Sequence, residues 1–204
     1  MINIREFFGD IDIYLFDQIL KNRFTSEMKI LDAGCGGGRN LVYFLRNGFQ
    51  VFGIDRNEEA IEYVRSLAKM LAPEIPLENF RLSKVEDLPF PDKSFDAIIS
   101  SAVLHFADDE RHFDRMLREM WRVLKPSGLF FARLASTISI EEKIEKIMER
   151  RYFLPDGSER FLVDEEMLIR VTEKLGAAFV EPIKTTNVQN LRSMTTWVIR
   201  KNDF

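Results

Sequence analysis

Along the chain, short continuous apolar runs alternate with longer stretches in which apolar residues recur every three or four positions. A bounded apolar run reads as a buried strand, and the three-or-four spacing as one face of a helix. Residues 10–24 place Ile13, Phe16, Ile19, Leu20 and Phe24 at helical spacing, and 28–34 (MKILDAG) is an apolar run that stops at glycine. A helix over 40–48, a strand over 50–55 and a helix over 57–71 follow, the last opened by Asn57 with acids in its first turn. Strands are predicted over 80–86, 95–103 and 128–135. The helix predicted over 110–124 carries a stripe of Phe113, Met116, Leu117, Met120, Trp121 and Leu124, which reads as a core face. Residues 139–151 read as a short charged helix, 164–177 as another, and 178–200 as two β-rich runs.

Strands that are apolar throughout and separated by helices imply a parallel sheet covered on both faces. The last two runs have no helix between them, so they are expected to form an antiparallel hairpin at the edge of that sheet. The fold class is therefore α/β, and in such sheets ligands lie at the carboxyl ends of the strands, near the first one. The stretch LDAGCGGGRN (31–40) falls there.

Glycines at 34, 36, 37 and 38 let the backbone approach a ligand closely. The dinucleotide pattern G-x-G-x-x-G fails, because position 39 is Arg39, and no Lys-Ser or Lys-Thr follows the glycines as a phosphate loop requires. What stands instead is D-x-G-x-G-x-G, from Asp32 to Gly38, with Asp55 closing the second strand 17 residues later. A carboxylate at Asp55 suits a ribose diol. Asp32 is a poor neighbour for a pyrophosphate and suits the ammonium group of an amino acid, directly or through water. A ligand combining ribose, adenine and a methionine tail is S-adenosylmethionine.

Composition narrows the classes. The 204 residues are 46% apolar and 30% charged with a formal net charge of −4, as expected of one globular domain with an elaboration. No basic surplus marks a nucleic-acid binder, and no stretch of 18 apolar residues marks a membrane span. One cysteine and two histidines cannot build a Cys/His zinc cluster, so no metal is expected. The first residues lack the apolar core of a signal peptide, and a cytoplasmic location is expected.

LDAGCGGGRN, VFGIDRN, VEDLPFPDKSFDAIISSAVLHF and EMWRVLKPSGLFF, in that order, together resemble the class I S-adenosylmethionine-dependent methyltransferases, nearest the type 11 small-molecule branch. The resemblance covers about residues 28–135. It implies a Rossmann-like, seven-stranded, mostly parallel sheet with helices on both faces and a C-terminal antiparallel hairpin. It also implies S-adenosylmethionine as methyl donor, S-adenosylhomocysteine as product and in-line transfer to a small-molecule acceptor. By position, Asp32, Gly34, Cys35 (through its backbone), Gly36, Gly37 and Gly38 match the loop around the methionine part. Asp55 matches the ribose carboxylate and Arg56 the residue beside adenine. Glu86, Asp87 and Leu88 match the segment bordering adenine. Family members often carry an acid two places before Glu86; here Lys84 stands there and cannot accept the adenine amino group. Ser100, Ser101 and His105 match the end of strand four, beside sulfonium and substrate. His105 is either a general base near the acceptor or an aromatic side chain packed under the cofactor. Cys35 reads as a small packing residue, His112 as solvent-exposed, and Asp108, Asp109 and Glu110 as a helix start.

The organisation expected is a single domain over 1–204, with an N-terminal helical cap (1–27) and a lid-like insertion (136–163) over the acceptor pocket. Tyr14, Phe16, Arg133, Tyr152, Phe153 and Arg160 are candidate lining residues. Arg133 lies within an apolar strand, where an unpaired charge is costly, so it requires a carboxylate or an acidic substrate as partner. Gly38-Arg39-Asn40 also resembles the tellurite-resistance methyltransferases, which implies a chalcogen acceptor as an alternative. A non-catalytic S-adenosylmethionine-binding regulator is a further alternative, and the subunit is expected to be a monomer or homodimer.

Overall fold

The computed structural model describes residues 3–203, so the first two residues of the expected cap lie outside it. Its elements are α1 (Ile4–Phe8), α2 (Ile13–Leu20), β1 (Lys29–Ala33), α3 (Val42–Arg46), β2 (Gln50–Asp55), α4 (Glu58–Leu71), β3 (Phe80–Leu82), β4 (Phe95–Ser101) and α5 (Glu110–Val123). Then come β5 (Leu124–Ala135), β6 (Glu145–Met148), β7 (Arg151–Phe153), β8 (Glu159–Phe161), α6 (Glu165–Lys174), β9 (Ala177–Phe179), β10 (Lys184–Val188) and β11 (Arg192–Lys201).

The main sheet runs β10-β11-β5-β4-β1-β2-β3. The β1–β2, β1–β4, β2–β3 and β4–β5 pairs are parallel, whereas β11 is antiparallel to both β5 and β10. The predicted hairpin is therefore present, but its first strand is interrupted. Both β9 and β10 pair with β11, which brings the sheet to eight strands. Pro182, which has no N–H to give to the ladder, falls in the gap between them.

Alternation along each strand divides the core between the two faces. Leu31, Ile98, Phe130 and Trp197 face one layer with α5 and α6 residues such as Phe113, Met120 and Leu168. Ile30, Val51, Ile99 and Phe131 face the other, with Leu15, Phe44 and Val64. The buried Trp197 satisfies its indole N–H by donating to Thr172 Oγ1 at 3.0 Å.

Several boundaries differ from expectation. The helix predicted over 10–24 starts only after Asp12, whose carboxylate accepts the N–H groups of Tyr14 and Leu15. It ends before Asn22, which is left-handed at φ 54. The strand predicted over 80–86 stops at Leu82, because the segment beyond it turns over the end of the sheet. The strand predicted from 128 begins at Leu124, running through an irregularity opposite β4.

The largest correction concerns 139–151, which is not a helix. One short helical turn at Glu141–Lys143 leads into β6, which forms an antiparallel three-stranded sheet with β7 and β8. Tertiary anchoring overrides the helical spacing here. Arg150, at the corner between β6 and β7, forms ion pairs with Glu110 at 2.8 Å and Asp164 at 2.7 Å. Behind the sheet, Leu154 and Leu162 pack with Ala135 and, at the margin, Ile144 and Tyr152.

Candidate functional site

The strand order reverses between β1 and β4, which opens a crevice at their carboxyl ends. The glycine loop enters it from β1. Gly34 has φ 85, and a Cβ there would stand 2.5 Å from Val103 Cγ2, so both backbone angle and space demand glycine. Gly36 has φ 50 and open space where a Cβ would project.

Two carboxylates meet this loop. Asp55 Oδ2 accepts the Gly36 N–H at 2.8 Å and Oδ1 accepts the Asn57 N–H at 2.9 Å. Each oxygen keeps a second lone pair for a ligand hydroxyl. Asp32 is 1% exposed, and its Oδ2 has no hydrogen-bond partner among the described residues. Burial raises its pKa to about 7 against the opposing charge of Arg39, with Asp55 adding to the rise. An orphaned, buried carboxylate oxygen beside a backbone cradle is an acceptor suited to a cationic donor. The residues present therefore fit the amino-acid end and the ribose of S-adenosylmethionine.

A cavity of about 320 Å³ adjoins the loop, lined by Gly34, Asp55, Arg56, Ser83–Glu86, Ala102 and Val103, with Phe106, Asp108, His112 and Met116 opposite. His112, expected at the solvent face, lines this cavity instead. The Asp109 carboxylate accepts the His112 N–H at 2.6 Å and so turns the start of α5 over the opening. Lys84 and Glu86 both line the cavity, whereas Asp87 and Leu88 do not. Leu88 is buried and its N–H donates to Glu119 at 3.0 Å, so it anchors the segment from below. Cys35 is buried and burial pushes its thiol well above the ordinary range, as expected of a packing residue.

A second cavity, of about 310 Å³, shares Ala102 with the first. Ala102, just past the end of β4, has φ 62 and lines both cavities. Arg39, His105 and Arg133 line it from the sheet side, and Leu154, Asp156, Ser158 and Arg160 from the three-stranded insertion. Val188, Arg192 and Met194 of the C-terminal hairpin complete it.

Arg133 finds the partner its position required within the protein. Its guanidinium donates to Asp12 Oδ2 at 2.8 Å and lies 5.0 Å from the centre of the Tyr14 ring, while Nε stays buried without a partner. Asn40 Oδ1 accepts the Asp12 N–H at 3.0 Å, and Arg39 lies 3.8 Å from the same carboxylate. The residues after the glycines thus fasten the N-terminal segment to the loop. Tyr14 bonds Thr186 through its hydroxyl and lines neither cavity. Phe16 packs on Phe8 at 4.7 Å, and Tyr152 packs beside the insertion's own small core.

His105 is 6% exposed, and its Nδ1 accepts the Ala135 N–H at 3.2 Å, which leaves the ring proton on Nε2. Burial, with Arg160 and Arg192 adding to it, lowers its pKa to about 4. The neutral ring is a hydrogen-bond donor toward the cavity, and this geometry does not suit a general base. Ser100 Oγ is buried and unpartnered among the described residues, and Ser101 Oγ accepts from Arg39 at 3.4 Å.

Four residues of the site escaped the sequence reading. Asp12 carries no chemistry as a letter, Arg39 and Asn40 enter the sequence reading only as a break in the dinucleotide loop and in the Gly38-Arg39-Asn40 resemblance, and Arg192 sits where no spacing marks it. The run Asp12-Ile13-Tyr14, a helix-capping carboxylate, was the one available signal. Among the described residues, no three His, Cys, Asp or Glu side chains are grouped to hold a metal ion, and no helix is long and apolar enough to cross a membrane.

Crevice, glycine loop and paired carboxylates define the class, a Rossmann-like fold arranged to receive a nucleoside that carries an amino acid. Residues 31–132, half of the chain, match the family described as Methyltransferase domain. The chain belongs to that family and is a class I S-adenosylmethionine-dependent methyltransferase by fold and descent. It is 36% identical over 107 residues to the uncharacterized methyltransferase YcgJ of Bacillus subtilis (strain 168), covering 52% of this chain and 40% of that one. It is 34% identical over 120 residues to the fatty-acid O-methyltransferase of Mycolicibacterium smegmatis, covering 58% of this chain and 41% of that one. The chain thus matches less than half the length of these curated relatives. In fold, it superposes on a SAM-dependent methyltransferase from Methanosarcina mazei with a TM-score of 0.75 at 22% identity, covering 90% of this chain and 97% of that one. It also superposes on the 1,6-didemethyltoxoflavin-N1-methyltransferase of Burkholderia thailandensis, solved with S-adenosylhomocysteine bound, with a TM-score of 0.69 at 20% identity, covering 91% and 76%.

Proposed function

We propose that the chain methylates a small-molecule acceptor held in the second cavity. The observation that carries this reading is the pair of cavities meeting at Ala102, one beside the carboxylates suited to the donor and one beside the insertion. S-adenosylmethionine supplies a methyl group on a positively charged sulfur, already activated for in-line displacement, so the protein contributes mainly position.

In this reading Asp55 accepts the ribose diol and Asp32 the ammonium group. Arg56, Lys84, Val85 and Glu86 border the adenine, with Glu86 in place of the missing acid at 84. Gly34 to Gly38 follow the methionine part, and the unpartnered Ser100 hydroxyl with Ser101 marks the end of β4 nearest the reacting centre. The segment 136–163 acts as a lid that excludes water, and the N-terminal segment supports the second cavity from behind, through Asp12 against Arg133 and Arg39. His105 donates a hydrogen bond from Nε2 and so orients the acceptor. The one carboxylate in this cavity, Asp156, is engaged by Ser158, so in this reading the acceptor atom brings its own available lone pair.

The test is incubation with methyl-labelled S-adenosylmethionine and a panel of thiols, phenols, quinone precursors, carboxylic acids, selenite and tellurite. Label is expected in at least one acceptor class. Tight binding of S-adenosylhomocysteine with no turnover of any class would favour a non-catalytic regulator instead.

A further inference from the structure

We infer that the second cavity selects a small anionic acceptor, gripped at its negative group by guanidinium side chains. This rests on the methyltransferase reading above and names the acceptor class for the same site. Arg39, Arg133, Arg160 and Arg192 all line the cavity, and each comes from a different part of the fold. They follow the glycine loop, lie within β5, end the insertion's sheet at β8 and open β11, respectively. A chain of formal net charge −4 has no compositional reason to gather them.

The carboxylates nearby do not neutralise the cluster. Asp12 lies behind it, 2.8 Å from Arg133 and 3.8 Å from Arg39. Asp156 is the one carboxylate in the lining, and it is engaged by the Ser158 N–H at 3.0 Å and hydroxyl at 2.5 Å. Four guanidinium groups against Asp12, Asp156 and the partly ionised Asp32, whose charge Arg39 opposes, leave a positive surplus of at least one. Neither Arg160 nor Arg192 forms an ion pair among the described residues. Arg160 donates only to the Glu159 carbonyl and lies 4.9 Å from the centre of the Phe106 ring. Arg133 keeps Nε buried and unpartnered. Arg133 and Arg160 are partly buried, whereas Arg39 and Arg192 reach the cavity from its exposed rim, so a bound anion meets positive charge both inside and at the mouth. The planar forks match the geometry of a carboxylate or an inorganic oxyanion.

Beside the charged groups, His105 and Ser158 offer neutral polar contacts, and Ala135, Leu154, Val188 and Met194 offer apolar ones, which suits an acceptor that is uncharged away from its anionic end. An acceptor already ionised at neutral pH also needs no base to bind productively, consistent with a His105 that holds its proton on Nε2.

The experiment loads the protein with S-adenosylhomocysteine and titrates it by calorimetry at low ionic strength. The probes are benzoate, its neutral counterpart benzamide, and selenite. Binding of benzoate or selenite at least tenfold tighter than benzamide is expected, and which of the two binds separates an organic acid from an inorganic oxyanion. The double variant Arg160→Gln/Arg192→Gln should lose at least tenfold of that anion affinity. Its affinity for S-adenosylhomocysteine should stay unchanged, because neither side chain lines the first cavity. No preference for either anion over benzamide overturns the inference, as does a double variant that binds the anion undiminished while its thermal midpoint shows it folded. Failure of S-adenosylhomocysteine to bind at the outset would instead overturn the function proposed above.

Discussion

The two cavities flanking Ala102 are similar in size, about 320 and 310 Å³, but differ in how they are built. The first is made mostly from short pieces at the ends of β1, β2, β3 and β4, closed by the entry to α5, and its polar groups mix the carboxylates of Asp55, Glu86 and Asp108 with Arg56, Lys84 and His112. The second is assembled from segments as distant as Arg39 and Arg192, and its polar groups are mostly arginines. The first is fixed by the sheet, whereas the second depends on what the insertion and the C-terminal hairpin bring over it. In the function proposed above, the sheet end holds the donor, and the insertion and hairpin shape the acceptor side.

The largest effect is expected at Asp55. Asp55→Ala removes two charge-assisted acceptors and orphans the Gly36 and Asn57 N–H groups. At about 1.5–3 kcal/mol for each hydrogen bond to a charged group, S-adenosylhomocysteine binding should weaken roughly a thousandfold. Anion affinity in the second cavity, measured in the same calorimeter, should change little, and a parallel collapse would erase the distinction between the cavities.

Arg133→Met comes next. It leaves the Asp12 carboxylate, with a side chain 1% exposed, without its closest partner. The loss expected is about 3 kcal/mol, read by urea unfolding. Asp12→Asn in the same background should recover part of it. An unchanged midpoint would mean that Arg133 serves the acceptor and not the fold.

A smaller effect concerns pH. Asp32 has its pKa raised by burial to about 7, above the ordinary carboxylate value of 3.8. Its contribution to stability is full below about pH 4 and is lost as pH rises through 7, where the buried group ionises. A cationic ligand group favours the ionised form, so S-adenosylhomocysteine binding should tighten, by up to about tenfold, between pH 6 and pH 7.5. Asp32→Asn should flatten that dependence. The smallest change is expected at Cys35, whose buried thiol should resist a thiol reagent at pH 8 in the folded protein and react only on unfolding.

How much the sequence showed follows the same division. The apolar strands, the glycine loop, Asp32 and Asp55 were legible because each is a local signal, a run or a spacing dictated by backbone geometry. The terminal hairpin was legible because no helix intervened, although Pro182 split its first strand. Residues 139–151 were misread because Ile140, Ile144, Ile147 and Met148 keep a helical spacing. The ion pairs of Arg150 with Glu110 and Asp164, which turn the chain into a sheet, are visible only in three dimensions. Of the arginine cavity, Arg133 and Arg160 were legible as candidate lining residues, whereas Arg39 and Arg192 were not, since the four share no spacing.

The most direct test is a calorimetric titration of the protein with S-adenosylhomocysteine and, separately, with NADH, repeated on Asp55→Ala. The account predicts binding of S-adenosylhomocysteine, no binding of NADH, and loss of the former in the variant. Binding of NADH without S-adenosylhomocysteine, or S-adenosylhomocysteine affinity untouched by Asp55→Ala, would contradict it.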